Sequence, residues 1–377
     1  MSKTIYFVAG EVSGDNHGAG LMRSLREVDA DLMFTGRGGP QMKAIAGDHF
    51  RDWINEAAVV GLWEVIRNYG YFREKFYETL DEIEGSEPDA VVLIDYPGFN
   101  LRLARALRKE STKRKIIYYI SPQVWAWNRG RIKKMARFLD LMLCIFPFEA
   151  DLYNKSGLRT VFVGHPMVDR LRAGKIDIER DPNLIGLFPG SRPREVRKIF
   201  PILVETAREL CKQKSNLHFE IAAASEPLAA EISRTLTDSR TKQELFQIVT
   251  GETAATMQRA SFGIIASGSA TLEAAYFRLP FVLVYKVAWP TYLAARLVVK
   301  VKYLGMPNVL ANKEVTPEFI QRRARPDAIA KTVLQLISNP TVRDRMISEF
   351  HRVVAKLGEG GASKKAARAI VEELSAT

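Results

Sequence analysis

The chain has 377 residues, 47% hydrophobic and 26% charged, which excludes a disordered or fibrous protein and leaves room for two separate cores. Its two cysteines, Cys144 and Cys211, are too few for a disulfide framework or a cysteine-based zinc site, and they fit a reducing, cytosolic compartment. The net charge of +12 is concentrated: from Leu101 to Arg137 twelve Lys or Arg face a single acid, Glu110. That tract suits nucleic acid, anionic headgroups or a phosphorylated substrate, and equally a solvated surface; charge alone does not choose.

The opening apolar run is too short for a signal-peptide core and predicts a strand over Ile5–Ala9. Gly10 ends it, and a helix follows from about Asn16 to Glu27. AVVLI (Ala90–Ile94), KIIYYI (Lys115–Ile120), Leu141–Ile145 and Thr160–Val163 are further buried strands. Continuous apolar runs separated by helical segments predict parallel sheets covered on both faces. Between Val163 and Leu184 the texture turns polar and is broken by proline and glycine, which marks a domain boundary. A second series follows: Ile185–Phe188, His218–Ala223, Gln247–Thr250, Gly263–Ala266 and Phe281–Tyr285. The apolar stretch Phe281–Leu310 is interrupted by Lys286, Arg296, Lys300 and Lys302, which argues against a membrane-spanning helix. The expected division is 1–165 and 166–345. A tail helix, about 346–377 with Ala366, Ile370 and Leu374 on one stripe, packs on the first domain or on a partner subunit.

Four loops carry candidate chemistry. In FPGSR, Gly190 allows a close backbone turn, and Ser191 and Arg192 stand at the carboxyl end of a strand, where an arginine suits phosphate. In SGSATLE, the run Ser267, Gly268, Ser269, Thr271, Leu272 and Glu273 leads from strand to helix. Its free N–H groups suit a diphosphate, and Glu273 can meet ribose hydroxyls; helix capping by Ser269 is the alternative, and the small residues crowded before the helix favour the phosphate site. In the first domain Glu11, Ser13, Gly14, Asp15 and His17 form a polar loop with candidate base groups, although Ser13 and Asp15 read equally as helix caps. Asp95, directly after AVVLI, is the other candidate base or else a turn residue. No Walker loop and no G-x-G-x-x-G occurs, and the one D-x-D, Asp29 and Asp31, reads as surface charge, so neither a metal nor a cofactor is expected. Val59, Val60, Leu62, Trp63, Val65, Ile66 and Tyr69 form a dense aromatic and aliphatic stretch that suits a core, a membrane interface or acyl chains. Trp125 and Trp127 are candidates to line the same cleft.

Taken together, GEVSGDNHGA, GLWEVI, IDYPGFNL, YYISPQVWAWNRGR, FPFE, VGHPMVD, FPGSR, SGSATLE and MPNVLANKEVTPEFIQ resemble the lipid-A-disaccharide synthases, in family order from residue 10 to 321. The resemblance implies a GT-B type α/β fold: two facing Rossmann-like domains with parallel sheets and a cleft between them. It implies an inverting transfer from UDP-2,3-diacylglucosamine to 2,3-diacylglucosamine 1-phosphate, without metal, on the cytoplasmic face of the inner membrane. It implies that Arg192, the 267–273 loop, Asn308 and, more weakly, Glu318 and Gln321 hold UDP. Asp95 matches an aspartate the family treats as essential, and the first domain takes the acceptor and meets an anionic membrane. Two departures stand out: Gly98 replaces the usual aspartate of PGFN, and Ser269 replaces a threonine. A UDP-N-acetylglucosamine epimerase or a transferase with another acceptor would share the donor loops. A nucleic-acid-binding protein would account for the charge but leave both phosphate loops idle, so no nucleic-acid partner is expected. A homodimer through the tail helix remains open.

Overall fold

A computed structural model describes residues 2–54, 69–111, 113–239, 242–299 and 301–376. The chain divides into two units, Met1–Pro166 with Leu357–Thr377, and Met167–Lys356. The first is built on seven strands: β1 (Thr4–Ala9), β2 (Met33–Gly38), β3 (Phe50–Asp52), β4 (Ala90–Ile94), β5 (Lys115–Tyr119), β6 (Leu141–Cys144) and β7 (Thr160–Phe162), in the order β3-β2-β1-β4-β5-β6-β7. The second has six: β8 (Asp181–Phe188), β9 (His218–Ala223), β10 (Phe246–Thr250), β11 (Ala260–Ala266), β12 (Phe281–Tyr285) and β13 (Glu318–Ile320), in the order β10-β9-β8-β11-β12-β13. Every pairing among the described residues is parallel. The reason is visible in β4, whose five residues Ala-Val-Val-Leu-Ile are all buried: a strand covered on both faces has no polar side to show water.

Both sheets reverse direction at one place. Chain order runs outward from β1 through β2 to β3, then restarts on β1's other flank with β4; in the second unit it runs from β8 through β9 to β10 and restarts with β11. A crevice opens outside the carboxyl ends of the two strands at such a switch point, because their connections leave in opposite directions.

Three strands escape the sequence reading. β2 reads MFTGRG, where two glycines and Arg37 break the apolar run. The Arg37 side chain is nonetheless buried, because its guanidinium donates to Glu82 at 2.8 and 2.9 Å and to Glu78 at 3.1 Å, both on the helix Tyr69–Ser86. Pairing of this quality makes a buried charge tolerable. β3 and β13 are three residues each, too short to show a period.

The tail also differs from expectation. It is two helices, Pro340–Ala355 and Ala362–Ser375, and the second unit extends past 345 to Lys356. The last helix buries Ala366, Ala367, Ile370 and Leu374 with Ala19, Leu21, Met22 and Leu25 in the core of the first unit. Glu373 fixes it further, accepting from Lys115 at 3.0 Å and pairing with Arg159. Of the two expected placements, on the first domain or on a partner subunit, the stripe takes the first.

Candidate active site

The four loops singled out from sequence lie at the two switch points. Gly10 and Glu11 follow β1, and Asp95 and Tyr96 follow β4; Gly190 to Arg192 follow β8, and Ser267 to Ser269 follow β11. Within each unit the two loops are brought side by side by strands that pair directly, β1 with β4 and β8 with β11.

In the first unit the loops touch. A Cβ on Gly10 would meet the Tyr96 ring at 2.4 Å, so only glycine lets β1 end beneath that ring. Asp95 and Tyr96 both hold left-handed backbone, φ 45° and 49°, an uncommon state for two successive side-chain-bearing residues. It is locked in place. Asp95 N–H donates to Tyr119 O at 3.0 Å, while Asp95 O accepts from the Asn100 amide at 2.8 Å and the Tyr118 hydroxyl at 2.5 Å. Asn100 is wholly buried at this task; it lies inside the helix Pro97–Glu110, whose N-cap is Tyr96, and does not cap it. Burial and then the like charge of Glu11 push the Asp95 carboxyl up to about 6 from its ordinary 3.8. Tyr96 is pushed up to about 12 by the same two causes. A carboxylate held near 6 is ionised at neutral pH and basic enough to take a proton.

The other candidate acids part company. The first helix starts at Val12, not near Asn16, so Ser13, Gly14, Asp15 and His17 lie inside it and neither Ser13 nor Asp15 caps it. Asp15 is 2% exposed and fully engaged elsewhere: it accepts from the N–H groups of Gly39, Gln41 and Met42 at 3.0, 3.0 and 2.9 Å. It caps the helix Pro40–Ala46 from a distance and is not free to act as a base. Glu11 stays exposed at the helix N-cap without a side-chain cap bond.

In the second unit Gly190 holds φ +112°, and a Cβ there would approach Glu195 Oε2 to 2.9 Å. The turn delivers Arg192 to the N-cap of the helix Pro193–Gln213, its side chain 78% exposed and 3.8 Å from Glu195. Across the switch point Gly268 and Ser269 are exposed. Ser269 does not cap the helix Ala270–Tyr276; Thr271 closes the turn instead, its hydroxyl donating to Gly268 O at 2.8 Å. Leu272 is buried beneath. Glu273 pairs with Arg170 at 2.8 Å, so a ribose contact would have to share or displace that partner.

Asn308, Glu318 and Gln321 are buried supports. The Asn308 amide donates to Thr316 O and Glu318, both 2.8 Å, and accepts from Val315 and Thr316 N–H at 2.7 and 2.9 Å, which uses its whole capacity. Glu318 also holds the N–H of Leu304 and Gly305, and Gln321 grips the backbone of Val287 at both its N–H and its carbonyl. These three shape the loops around β12 and β13, and Asn308 has no hydrogen-bonding capacity left over.

Among known proteins, the family model described as lipid-A-disaccharide synthetase matches residues 5–371. The chain belongs to this family. It is a glycosyltransferase of lipid A biosynthesis. A lipid-A-disaccharide synthase of Geobacter sulfurreducens is 36% identical over 99% of this chain and 98% of its own length. Lipid-A-disaccharide synthase 1 of Legionella pneumophila is 36% identical over 98% of this chain and 97% of its own. Solved structures share the fold at low identity. One is a putative UDP-N-acetylglucosamine 2-epimerase of Listeria monocytogenes, with TM-score 0.67 and 11% identity over 100% of this chain and 98% of that one. Another is the glycotransferase of kitacinnamycin, with TM-score 0.61 and 14% identity over 99% of each chain. Both units are the Rossmann-like halves of a GT-B fold.

The structure separates the roles of the remaining sequence motifs. FPFE places Glu149 wholly inside the first unit, where it accepts from Trp125 Nε1 at 2.8 Å and Phe146 N–H at 3.2 Å. Burial pushes it up to about 7 against those hydrogen bonds. Trp125, expected to line a cleft, is instead buried by this contact; Trp127 is exposed, with Arg131 over its ring at 4.7 Å. The basic tract is partly internal, since Arg108 pairs with Asp140, Arg114 donates to Ile83 O and Lys115 pairs with Glu373. Tyr285, at the end of β12, went unnoticed in sequence because it reads as the last residue of an apolar strand. Its hydroxyl is pushed up by burial and Glu195 and drawn back by Arg192, which puts it within electrostatic reach of both. Residues Val59, Val60, Leu62, Trp63, Val65 and Ile66, and the Tyr69 side chain, lie outside the described residues. No described helix is long and apolar enough to cross a membrane.

Proposed function

We infer that the enzyme joins UDP-2,3-diacylglucosamine to 2,3-diacylglucosamine 1-phosphate, releasing UDP and forming a β-1,6-linked disaccharide. The observation that carries this reading is family membership over residues 5–371, with the family's motif loops at both switch points. Asp95 takes the proton of the attacking acceptor hydroxyl; a carboxyl poised near 6 is suited to that role at neutral pH. The sugar carbon is displaced once, in line, so its configuration inverts and no covalent enzyme intermediate forms. The exposed Arg192 neutralises charge that builds on the leaving diphosphate, and the N–H groups of Gly268, Ser269 and Ala270 bind its oxygens. Arg192 meets the oxygens through a planar fork that lysine lacks. Glu11 and His17 face the acceptor side, and Asp15 keeps the loop's shape. Both substrates carry acyl chains, so the protein works as a peripheral protein on an anionic bilayer on the cytoplasmic side, with the 59–69 stretch as an acyl or membrane contact.

The test is UDP release by purified protein given both diacyl sugars in detergent with EDTA present. Release that requires both lipids, survives EDTA and disappears in Asp95→Ala supports the reading. Turnover of a UDP-sugar without any acceptor would replace it with an epimerase.

A further inference from the structure

The helix Trp289–Val298 in the second unit has no buried residue. Trp289 is 46% exposed, Leu293 58% and Leu297 87%, and Val298 and Val299 are exposed beside them. Trp289, Leu293 and Leu297 recur every four residues and so share one face of the helix. An apolar stripe of this kind left in water is costly, and on a folded surface it marks a contact.

The charge around it identifies the contact. From Lys286 to Lys313 the sequence holds five cations, Lys286, Arg296, Lys300, Lys302 and Lys313, and no acid. Arg322 lies over the Trp289 ring at 5.0 Å, and Lys198, Lys286, Arg322 and Arg325 line a groove of about 550 Å³ that Trp289 also borders. Trp289 and Tyr292 meet edge to face at 5.7 Å. Lys313 pairs with Glu349 and Arg325 with Asp327; aromatic rings with a polar edge, leucines beyond them and the remaining cations Lys286, Arg296, Lys302 and Arg322 are the composition of a helix lying in the headgroup layer of an anionic bilayer. An acidic protein surface would satisfy the cations but not the projecting leucines.

The geometry points to Trp289–Val298 as an interfacial helix through which the second unit sits on an anionic membrane, with Leu293 and Leu297 in the acyl boundary and Lys286, Arg296, Lys302 and Arg322 on lipid phosphates. This rests on the reading of a lipid-borne reaction above and adds a contact on the unit that carries the donor loops.

The experiment uses full-length protein with Cys211→Ser and Leu297→Cys, labelled at 297 with an environment-sensitive nitrobenzoxadiazole group; Cys144 is buried. It is mixed with phosphatidylglycerol-phosphatidylethanolamine vesicles or with phosphatidylcholine vesicles. The expected result is a blue-shifted, brighter emission with the anionic vesicles only, quenched by doxyl-labelled lipid and weakened by salt. In unlabelled protein, Leu293→Ser with Leu297→Ser weakens vesicle co-sedimentation by roughly tenfold. Co-sedimentation with the label still in water overturns the interfacial helix and leaves the lipid-borne reaction standing. No binding to any vesicle overturns the helix and counts against a membrane site altogether. Shielding of the label that grows with protein concentration, without vesicles, assigns the face to a second copy and overturns the proposal.

Discussion

The two switch points are built on one plan and furnished with residues of opposite charge. At β1 and β4 the strands end in acids, Glu11 and Asp95, and the turn is made by side-chain-bearing residues forced into left-handed backbone. At β8 and β11 the strands end in Gly190 and Gly268, which take positive φ at little cost, and the charge is the cation of Arg192. Strain at the first point is held by buried Asn100 and Tyr118; the second point needs no such brace. A shared sheet order therefore says where ligands go. On the proposed function, the residues at the strand ends assign proton transfer to the first point and phosphate binding to the second.

The comparison is tested most severely at Asp95. Asp95→Asn is expected to lower kcat by about 10²–10⁴-fold, the usual range for a lost general base. It should also raise Tm by roughly 2–4 °C, because it removes a penalised charge and asparagine tolerates left-handed backbone better. Activity and calorimetry on the same preparation check both signs, and a drop in Tm would mean that the charge is structural.

Arg192→Ala is the mirror experiment. With its side chain 78% exposed, stability should stay within about 0.5 kcal/mol, while kcat falls roughly 10²-fold. Arg192→Lys recovers only part of it. Loss of stability comparable to the loss of rate would erase the contrast between the two points.

Asp15→Ala separates a supporting acid from a reacting one. Three N–H groups lose their acceptor, for a cost of roughly 2–4 kcal/mol by denaturant unfolding. Residual folded protein should keep the wild-type pH profile, which a lost base would not.

The smallest effect is a shift in pH. Asp95 is raised from 3.8 to about 6 in the folded protein, so its contribution to stability is present below about 4 and is lost as pH rises through 6. Activity runs the other way, rising through 6 as the base ionises. Glu11→Gln removes the like charge, so the acid limb of kcat/KM should move to lower pH by a fraction of a unit. A limb that does not move would leave burial as the whole cause.

Much of this was legible in the chain. β4 and β12 were read with their observed limits, because a strand buried on both faces leaves an unbroken apolar run. The four loops could be found because glycine and charge abruptly follow such runs. β2 could not, since Arg37 looks like a surface residue until Glu78 and Glu82 arrive from a helix more than thirty positions on. Asp15 and Asn308 likewise show their hydrogen-bond partners only in the fold, where backbone N–H groups donate to their side-chain oxygens.

The sequence by itself determined the apolar strand runs, though not β2, β3 and β13, together with the family and the position of each candidate loop, all properties of neighbouring residues. The tertiary structure decided which polar groups remain free. It tied up Asp15, Asn308, Glu318 and Gln321, left Arg192 exposed and held Asp95 beside Glu11. Hydrogen-bond capacity and burial depend on partners distant in the chain, and no local pattern of residues records them.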